Sequence, residues 1–257
     1  MRQSNAYTFG FITVIAVAAA LILSVASQSL RDRQMLNMEA DMKRNIVAAV
    51  GLMPQGMEDC RRGPLSEKLC CDITACYRDH IVSLVINSRG EIVKGEQIPE
   101  RISIEAEMDK PEEQRLFPIF LRRKEANSNE YISYCIPIVG KGLWSTLYGY
   151  LALQSDLNTI TGITFYKHGE TPGLGAEIEK EWFQKSFIGK KILDEKGELV
   201  SVSVVKGKVN ESMPGAVHKV DGISGATLTG NGVTKLIRKN LLIYEPYFKT
   251  IRRRMVP

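Results

Sequence analysis

The sequence predicts an α+β protein, with a single N-terminal transmembrane helix carrying a β-rich domain. Three observations lead there: an apolar, uncharged segment within the first 30 residues, a middle region of short β-branched and aromatic runs, and a helix-period segment near the C-terminus. With 44% apolar and 25% charged residues, the 257-residue chain has the composition of a folded globular protein rather than a disordered or collagen-like one. Lys and Arg outnumber Asp and Glu by 34 to 29, partly through Lys249, Arg252, Arg253 and Arg254. That surplus is too small and too scattered for a nucleic-acid footprint, so no nucleic-acid partner is expected.

The first element, residues 1–30, is an N-terminal transmembrane anchor. No charged side chain occurs from Gln3 to Leu30, and Phe9 to Val25 is nearly all Phe, Ile, Val, Ala and Leu. About 20 such residues suffice to cross the hydrocarbon of a bilayer as a helix. Ser24-Val25-Ala26 has the small-residue spacing of a signal-peptidase site, which is the rival reading. Against cleavage, only Arg2 is charged ahead of the run, and the run exceeds the roughly 7–15 residues of a signal-peptide core. Arg31 and Arg33 follow the span while Arg2 and the terminal amine precede it, which would place the bulk of the chain in the cytoplasm. Large domains are translocated largely regardless of charge, so charge alone leaves the topology open.

Residues 31–78 form the second element, a stalk helix and a Cys-rich connection. Met35, Met38, Met42 and Ile46 recur at helical spacing as packing residues. The stretch Met53 to Tyr77, with Pro54, Gly56, Gly63 and Pro64, reads as loop or short helical turns. Cys60, Cys70, Cys71 and Cys76 cluster there and Cys135 stands alone. No pair has the two-residue gap of a zinc knuckle, and adjacent Cys70-Cys71 is awkward for tetrahedral ligation. One or two disulfides in an oxidising compartment are expected instead of a metal, with Cys135 a buried hydrophobe.

Residues 79–257 form the third element, the α+β domain. A hairpin is expected at His80 to Ile92, turning at Asn87-Ser88-Arg89-Gly90. Strands are expected at Tyr131–Val139, Leu147–Gln154 and Ile160–Lys167, with turns at Gly140–Gly142 and Ser155–Asn158. A helix over Gly175–Phe187, a strand over Leu199–Lys206 and a last helix over Asn231–Tyr244, interrupted or kinked by Pro246, complete the domain.

The segment most suggestive of chemistry runs from Asp221 to Gly230, Asp-Gly-Ile-Ser-Gly-Ala-Thr-Leu-Thr-Gly. Gly225 and Ala226 leave the Thr227 hydroxyl unshielded, and amides at a helix N-terminus favour an anion. On spacing alone, the plainer reading is a turn with Thr229 or Asn231 capping the helix. Gly169 to Ala176 is likewise a strand-to-helix loop with Gly173 and Gly175 as turn residues. Trp144 is either a core tryptophan or a stacking surface. Lys206 is either an exposed lysine or the partner of an anion. His80, His168 and His218 lie too far apart in sequence to argue a triad, and no catalytic acid or base is expected.

Asp221, Ser224-Gly225-Ala226-Thr227 and Thr229 resemble the flavinylation motif of the FMN-binding domain family. The resemblance implies that a separate Mg-dependent flavin transferase moves FMN from FAD onto the Thr227 hydroxyl, giving a phosphoester in the loop 221–230. Because such motifs are modified outside the cytoplasm, it also implies a periplasmic, β-rich FMN-binding domain on a single-pass protein of a bacterial inner membrane. Glu170 and Thr171 would meet the ring edge, Gly173, Leu174 and Gly175 the ring, Trp144 would stack on it, and Lys206 would pair with phosphate or reduced-flavin charge.

The opening Ser4-Asn5-Ala6-Tyr7-Thr8, the span, the stalk, Gly142-Leu143-Trp144-Ser145 and both loops are similar to the C subunits of Na+-translocating NADH:quinone oxidoreductases. The implied role is an FMN-carrying electron relay among the other subunits of a membrane complex that oxidises NADH, reduces ubiquinone and pumps Na+. With no Rossmann fingerprint here, NADH is expected on another subunit. The alternatives are the flavoprotein subunit of the related ferredoxin:NAD electron-transport complex, a non-redox stalked periplasmic binding module, and a stand-alone flavin reductase.

Overall fold

The computed structural model describes residues 5–52, 73–126 and 128–255. Cys60, Cys70, Cys71 and most of the stretch Met53 to Tyr77 lie outside the described residues. The chain divides into two compact units, Met1–Asp41 and Met42–Pro257.

Helix α1 spans Asn5–Ala49 without interruption. Its segment Tyr7–Arg31 has a mean hydropathy of 2.6 and is exposed throughout, so it is long and apolar enough to cross a membrane. No Gly or Pro breaks the pattern between Thr13 and Ala49, which explains why anchor and stalk share one helix.

The second unit is built on a five-stranded antiparallel meander, β1 (Ile81–Asn87), β2 (Leu116–Arg123), β3 (Tyr131–Lys141), β4 (Thr146–Gln154) and β5 (Ile160–Lys167), each pairing with the next. The strands read as near-continuous apolar runs because both faces are covered. On one face, Ile46, Val47 and Val50 from the end of α1 pack on Phe120, Cys135, Tyr150 and Ala152. They are joined there by Cys76 and Tyr77 of α2 (Ile73–His80). The close fit is visible at Gly162, where a Cβ would lie 2.5 Å from the Ala49 carbonyl oxygen. On the other face, Val233, Leu236, Ile237, Leu241 and Tyr244 of the last helix bury Ile119, Ile136, Ile138 and Leu151.

Several expectations are corrected. The segment after Asn87–Gly90 makes only the isolated bridge Ile86↔Ile92, and the long partner of β1 is β2. β2 escapes a sequence reading because Pro118 sits inside it. The β2–β3 ladder begins only at Phe120↔Cys135, so the missing Pro118 amide costs no bond on that side. Of the stretch read as loop or short helical turns, the described end is helical, in α2, and β3 runs through Lys141 into the expected turn.

The helix expected over Gly175–Phe187 is two pieces, a 3-10 turn at Gly175–Glu179 and, after a short α3 at Ile104–Met108 earlier in the chain, α4 at Glu181–Lys185. Extended Lys180, at φ −74° and ψ 143°, separates them. The strand at Leu199–Lys206 shrinks to β6, Ser203–Val204, paired in parallel with β7, Lys219–Val220. The last helix, α5, starts at Thr227 rather than Asn231 and continues through Pro246 to Met255. Cys76 is disulfide-bonded, and Cys135 is a free, buried thiol.

Candidate functional site

Three segments converge beside the end of β3: the β3–β4 hairpin tip (residues 142–145), the loop after β5 (residues 169–176) and the first turn of α5. The sequence builds the last of these from a tight turn. The Ala226 amide donates to the Ile223 carbonyl at 3.1 Å, and Gly225, at φ +72°, occupies the third turn position, where a side chain is strained. Gly230 N then donates to Ala226 O at 3.0 Å, so Ala226 caps the helix and Thr227 is its first residue. The amides of Thr227, Leu228 and Thr229 thus have no acceptor within the helix. Thr227, Ser224 and Gly225 are exposed, while Ala226 and Thr229 are buried. Neither Thr229 nor Asn231 caps the helix, since both lie inside it.

Asp221 steadies the approach to this turn: its Oδ1 accepts the Val209 amide at 2.7 Å, and Gly222 N donates to Gly207 O at 2.7 Å. Lys206 sits in the adjoining turn, two residues beyond the end of β6, with its side chain exposed.

Glu170 joins all three segments. Only 5% exposed, it points its two oxygens into the protein. Oε1 accepts from the amides of Trp144 at 3.0 Å and Ser145 at 3.2 Å, and Oε2 from the Thr229 hydroxyl at 2.7 Å and the Leu143 amide at 3.3 Å. Burial pushes the Glu170 pKa up, but those donors together outweigh it and hold the carboxyl below its ordinary range. Ser145 Oγ accepts from Gly169 N at 2.6 Å, tying hairpin to loop a second time. The ring-edge contact expected of Glu170 is not where its oxygens point. Thr171 is exposed, and its carbonyl accepts from the amides of Leu174 and Ala176, at 3.1 Å each, closing the loop around Gly173 at φ +73°. Gly175 is buried against Thr229 and Glu170.

Apolar side chains stand exposed on the three segments. Trp144 is 72% exposed, which excludes the core position open to it on sequence grounds, and Leu228, Leu174 and Leu143 are 60%, 42% and 40% exposed. Leu174 closes on the motif turn: a Cβ at Gly225 would lie 2.8 Å from its Cδ2. Leu228 and the Ser145 hydroxyl had no distinguishing signal in sequence. The three histidines are dispersed: His168 meets Glu179 at 3.3 Å, His218 meets the Lys191 carbonyl at 2.7 Å, and His80 ends α2.

An exposed hydroxyl at the start of a long helix, with amides behind it that have no acceptor within the helix and exposed apolar side chains on the adjoining segments, can hold an anionic group carrying an apolar ring. Residues 142–241, which contain all three segments, match the FMN-binding domain family. The chain is 34% identical to the C subunit of the Na+-translocating NADH-quinone reductase of Vibrio campbellii, over 88% of this chain and 86% of that protein. It is 31% identical to the same subunit of Pseudomonas aeruginosa, over 92% and 91%. Among solved structures, the C subunit of the Parabacteroides distasonis reductase superposes with a TM-score of 0.66 at 30% identity, covering 85% of this chain and 96% of that one. Shewanella oneidensis NqrC gives 0.70 at 25% identity, covering 85% and 99%. The chain belongs to the family of Na+-translocating NADH-quinone reductase C subunits.

Proposed function

We propose that this chain is the FMN-carrying electron-transfer subunit of a Na+-translocating NADH:ubiquinone oxidoreductase, with FMN esterified through its phosphate to Thr227. The observation that carries the reading is the placement of Thr227 as the exposed first residue of α5, with exposed Leu228 next to it and exposed Leu174 against the turn before it. The site fits the group: the free amides of the first helical turn suit a phosphate diester, and the exposed apolar side chains suit a flat ring that must stay reachable.

Bound FMN supplies the redox chemistry, taking up and releasing electrons. The protein's part is binding and orientation. Thr227 Oγ would provide the attachment point, Gly225 and Ala226 keep bulk away from it, and the amides of Leu228 and Thr229 would be available to the phosphate. Leu174 and Trp144 would offer apolar surface to the ring, and Lys206, from the turn beside Asp221, would supply positive charge. No group on this chain needs to donate or abstract a proton as a catalyst.

In this reading residues 1–30 anchor the chain in the bacterial inner membrane, residues 31–78 form the stalk and Cys-rich connection, and residues 79–257 form a periplasmic FMN-binding domain. A flavin transferase matures it, and neighbouring subunits of the complex deliver and collect the electrons. The disulfide at Cys76 suits an oxidising compartment.

The test is the intact mass of the membrane-purified chain beside a Thr227→Ala variant, with in-gel flavin fluorescence after denaturation. An FMN-sized adduct present in the first and absent from the second supports the reading. No adduct, in a host that contains the transferase, refutes it.

A further inference from the structure

Glu170 has a chemistry that attachment of a flavin does not explain. It is a carboxylate, 5% exposed, and among the described ion pairs none includes it. An isolated buried charge is costly, and here it is met by five donor contacts instead of a cation. These are the amides of Leu143, Trp144 and Ser145, the Thr229 hydroxyl at 2.7 Å, and the Ser145 hydroxyl at 3.5 Å. The space is shaped for the carboxylate as well. A Cβ at Gly142 would lie 2.6 Å from Oε1, and one at Gly175 would lie 2.8 Å from Oε2 and 2.6 Å from Thr229 Oγ1. Two glycines on two different segments therefore make room for one side chain.

The donors come from both sides of the site. Leu143, Trp144 and Ser145 form the hairpin tip that holds the exposed indole, and Thr229 lies in the same helical turn as Thr227. A neutral amide cannot replace the carboxylate. Gln has one acceptor oxygen, so its NH2 group would confront either the Trp144 and Ser145 amides or the Leu143 amide, leaving buried donors unpaired.

We propose that Glu170 is the positioning residue of this site, a buried carboxylate that locks the Trp144 hairpin tip to the turn of α5 presenting Thr227. The inference rests on the flavin reading for its purpose, but the lock itself exists without flavin and is testable without it. Both Glu170 oxygens are taken up by protein donors. The residue acts by fixing the spacing between the stacking surface and the attachment point, which is what sets the orientation of a ring tethered at one end.

The experiment has two arms. In the full chain carrying Thr227→Ala, hydrogen exchange is measured residue by residue with and without Glu170→Gln or Thr229→Val. Glu170→Gln should speed exchange of the Leu143, Trp144 and Ser145 amides by about ten-fold or more, the effect of losing one bond to a charged acceptor. Amides of β4 and β5 should keep their rates. Thr229→Val cuts only the helix side, so the Gly230 amide should exchange faster while the hairpin amides stay protected.

In the second arm, wild type, Glu170→Gln and Thr229→Val are purified with the adduct confirmed by mass, and visible circular dichroism of the flavin is recorded well below unfolding. Both variants should lose most of the wild-type signal, which a purely stabilising residue would not alter. Unchanged exchange at residues 143–145 in Glu170→Gln, or an unchanged flavin spectrum in both variants, overturns the proposal. Should Glu170→Gln fail to fold, Thr229→Val decides by the Gly230 amide. An absent adduct sinks the flavin reading alone, and the exchange arm still decides the lock.

Discussion

Replacing Gly232 by Ala sets helix propensity against packing, and the structure says which wins. Gly232 lies in the second turn of α5, where Ala is favoured over Gly by about 1 kcal/mol in an isolated helix. A Cβ there would stand 2.7 Å from the Lys141 carbonyl oxygen and 3.1 Å from Gly142 Cα. Both are backbone atoms of the hairpin arm, so neither can rotate away. Relief requires moving the start of α5 from the sheet by roughly half an ångström or more, and overpacking of this kind costs about 1–3 kcal/mol. The same movement stretches the bond from Thr229 to Glu170, a charge-assisted contact worth about 1.5–3 kcal/mol. The net loss is about 2 kcal/mol, and at about 2–4 °C per kcal/mol for a unit of this size, Tm should fall by about 4–8 °C. Thermal unfolding of the purified chain, followed by circular dichroism, measures it. An unchanged or higher Tm would mean that α5 is not pressed on the hairpin as described.

Three further outcomes are expected. The Glu170 pKa is lowered in the folded chain, so its stabilising contribution is complete above the unfolded value of 4.5 and is lost as pH falls through the lower, folded value. Subtracting the Tm profile of Glu170→Gln from that of wild type isolates this loss from every other pH-dependent contribution. A difference that instead grows below pH 4.5 would contradict the sign. Burial pushes the Cys135 thiol far above its ordinary pKa, so iodoacetamide at pH 8 should leave it unmodified in the native chain and label it after denaturation, as read by peptide mass. Tyr244, fully buried, donates its hydroxyl to the Pro118 carbonyl at 2.8 Å, and Tyr244→Phe should lower Tm by about 2–8 °C through the loss of about 1–2 kcal/mol.

The bond from Tyr244 to Pro118 also marks where the fold was hidden from its sequence. β3, β4 and β5 are legible because runs such as Ile160–Lys167 are apolar, β-branched and bounded by turn residues. β2 is not, because Pro118 argues against a strand until one knows that the β3 ladder begins only at Phe120, so that no strand on that side needs its missing amide. The start of α5 was hidden for a related reason. Gly230 and Gly232 each disfavour a helix by about 1 kcal/mol, so Thr227–Gly230 reads as a turn and the helix as starting only at Asn231. Yet a Cβ at Gly230 would lie 3.0 Å from Val204 Cγ1, and one at Gly232 would meet Lys141. Both glycines are there for close approach of sheet and loop, a tertiary demand that no local scale contains.

The site divides along the same line. The Thr227 motif is local: a turn with Gly at its one positive-φ position is readable from consecutive residues, although the helix start that follows it is not. Nor is the direction of a side chain. Glu170 could face a ligand or the protein, and the choice is made by donors 25 to 59 residues away, at Ser145 and Thr229, that converge only after the sheet and α5 have packed. Trp144 follows from that choice. Once the amides of Leu143, Trp144 and Ser145 are drawn inward to the carboxylate, the hairpin tip is held by its backbone, and the indole is free to stand 72% exposed without unfolding the tip. An exposed tryptophan held by a rigid backbone is what the proposed carrier would need, because a ring bound beside it would have to be fixed on one side and reachable by a partner on the other.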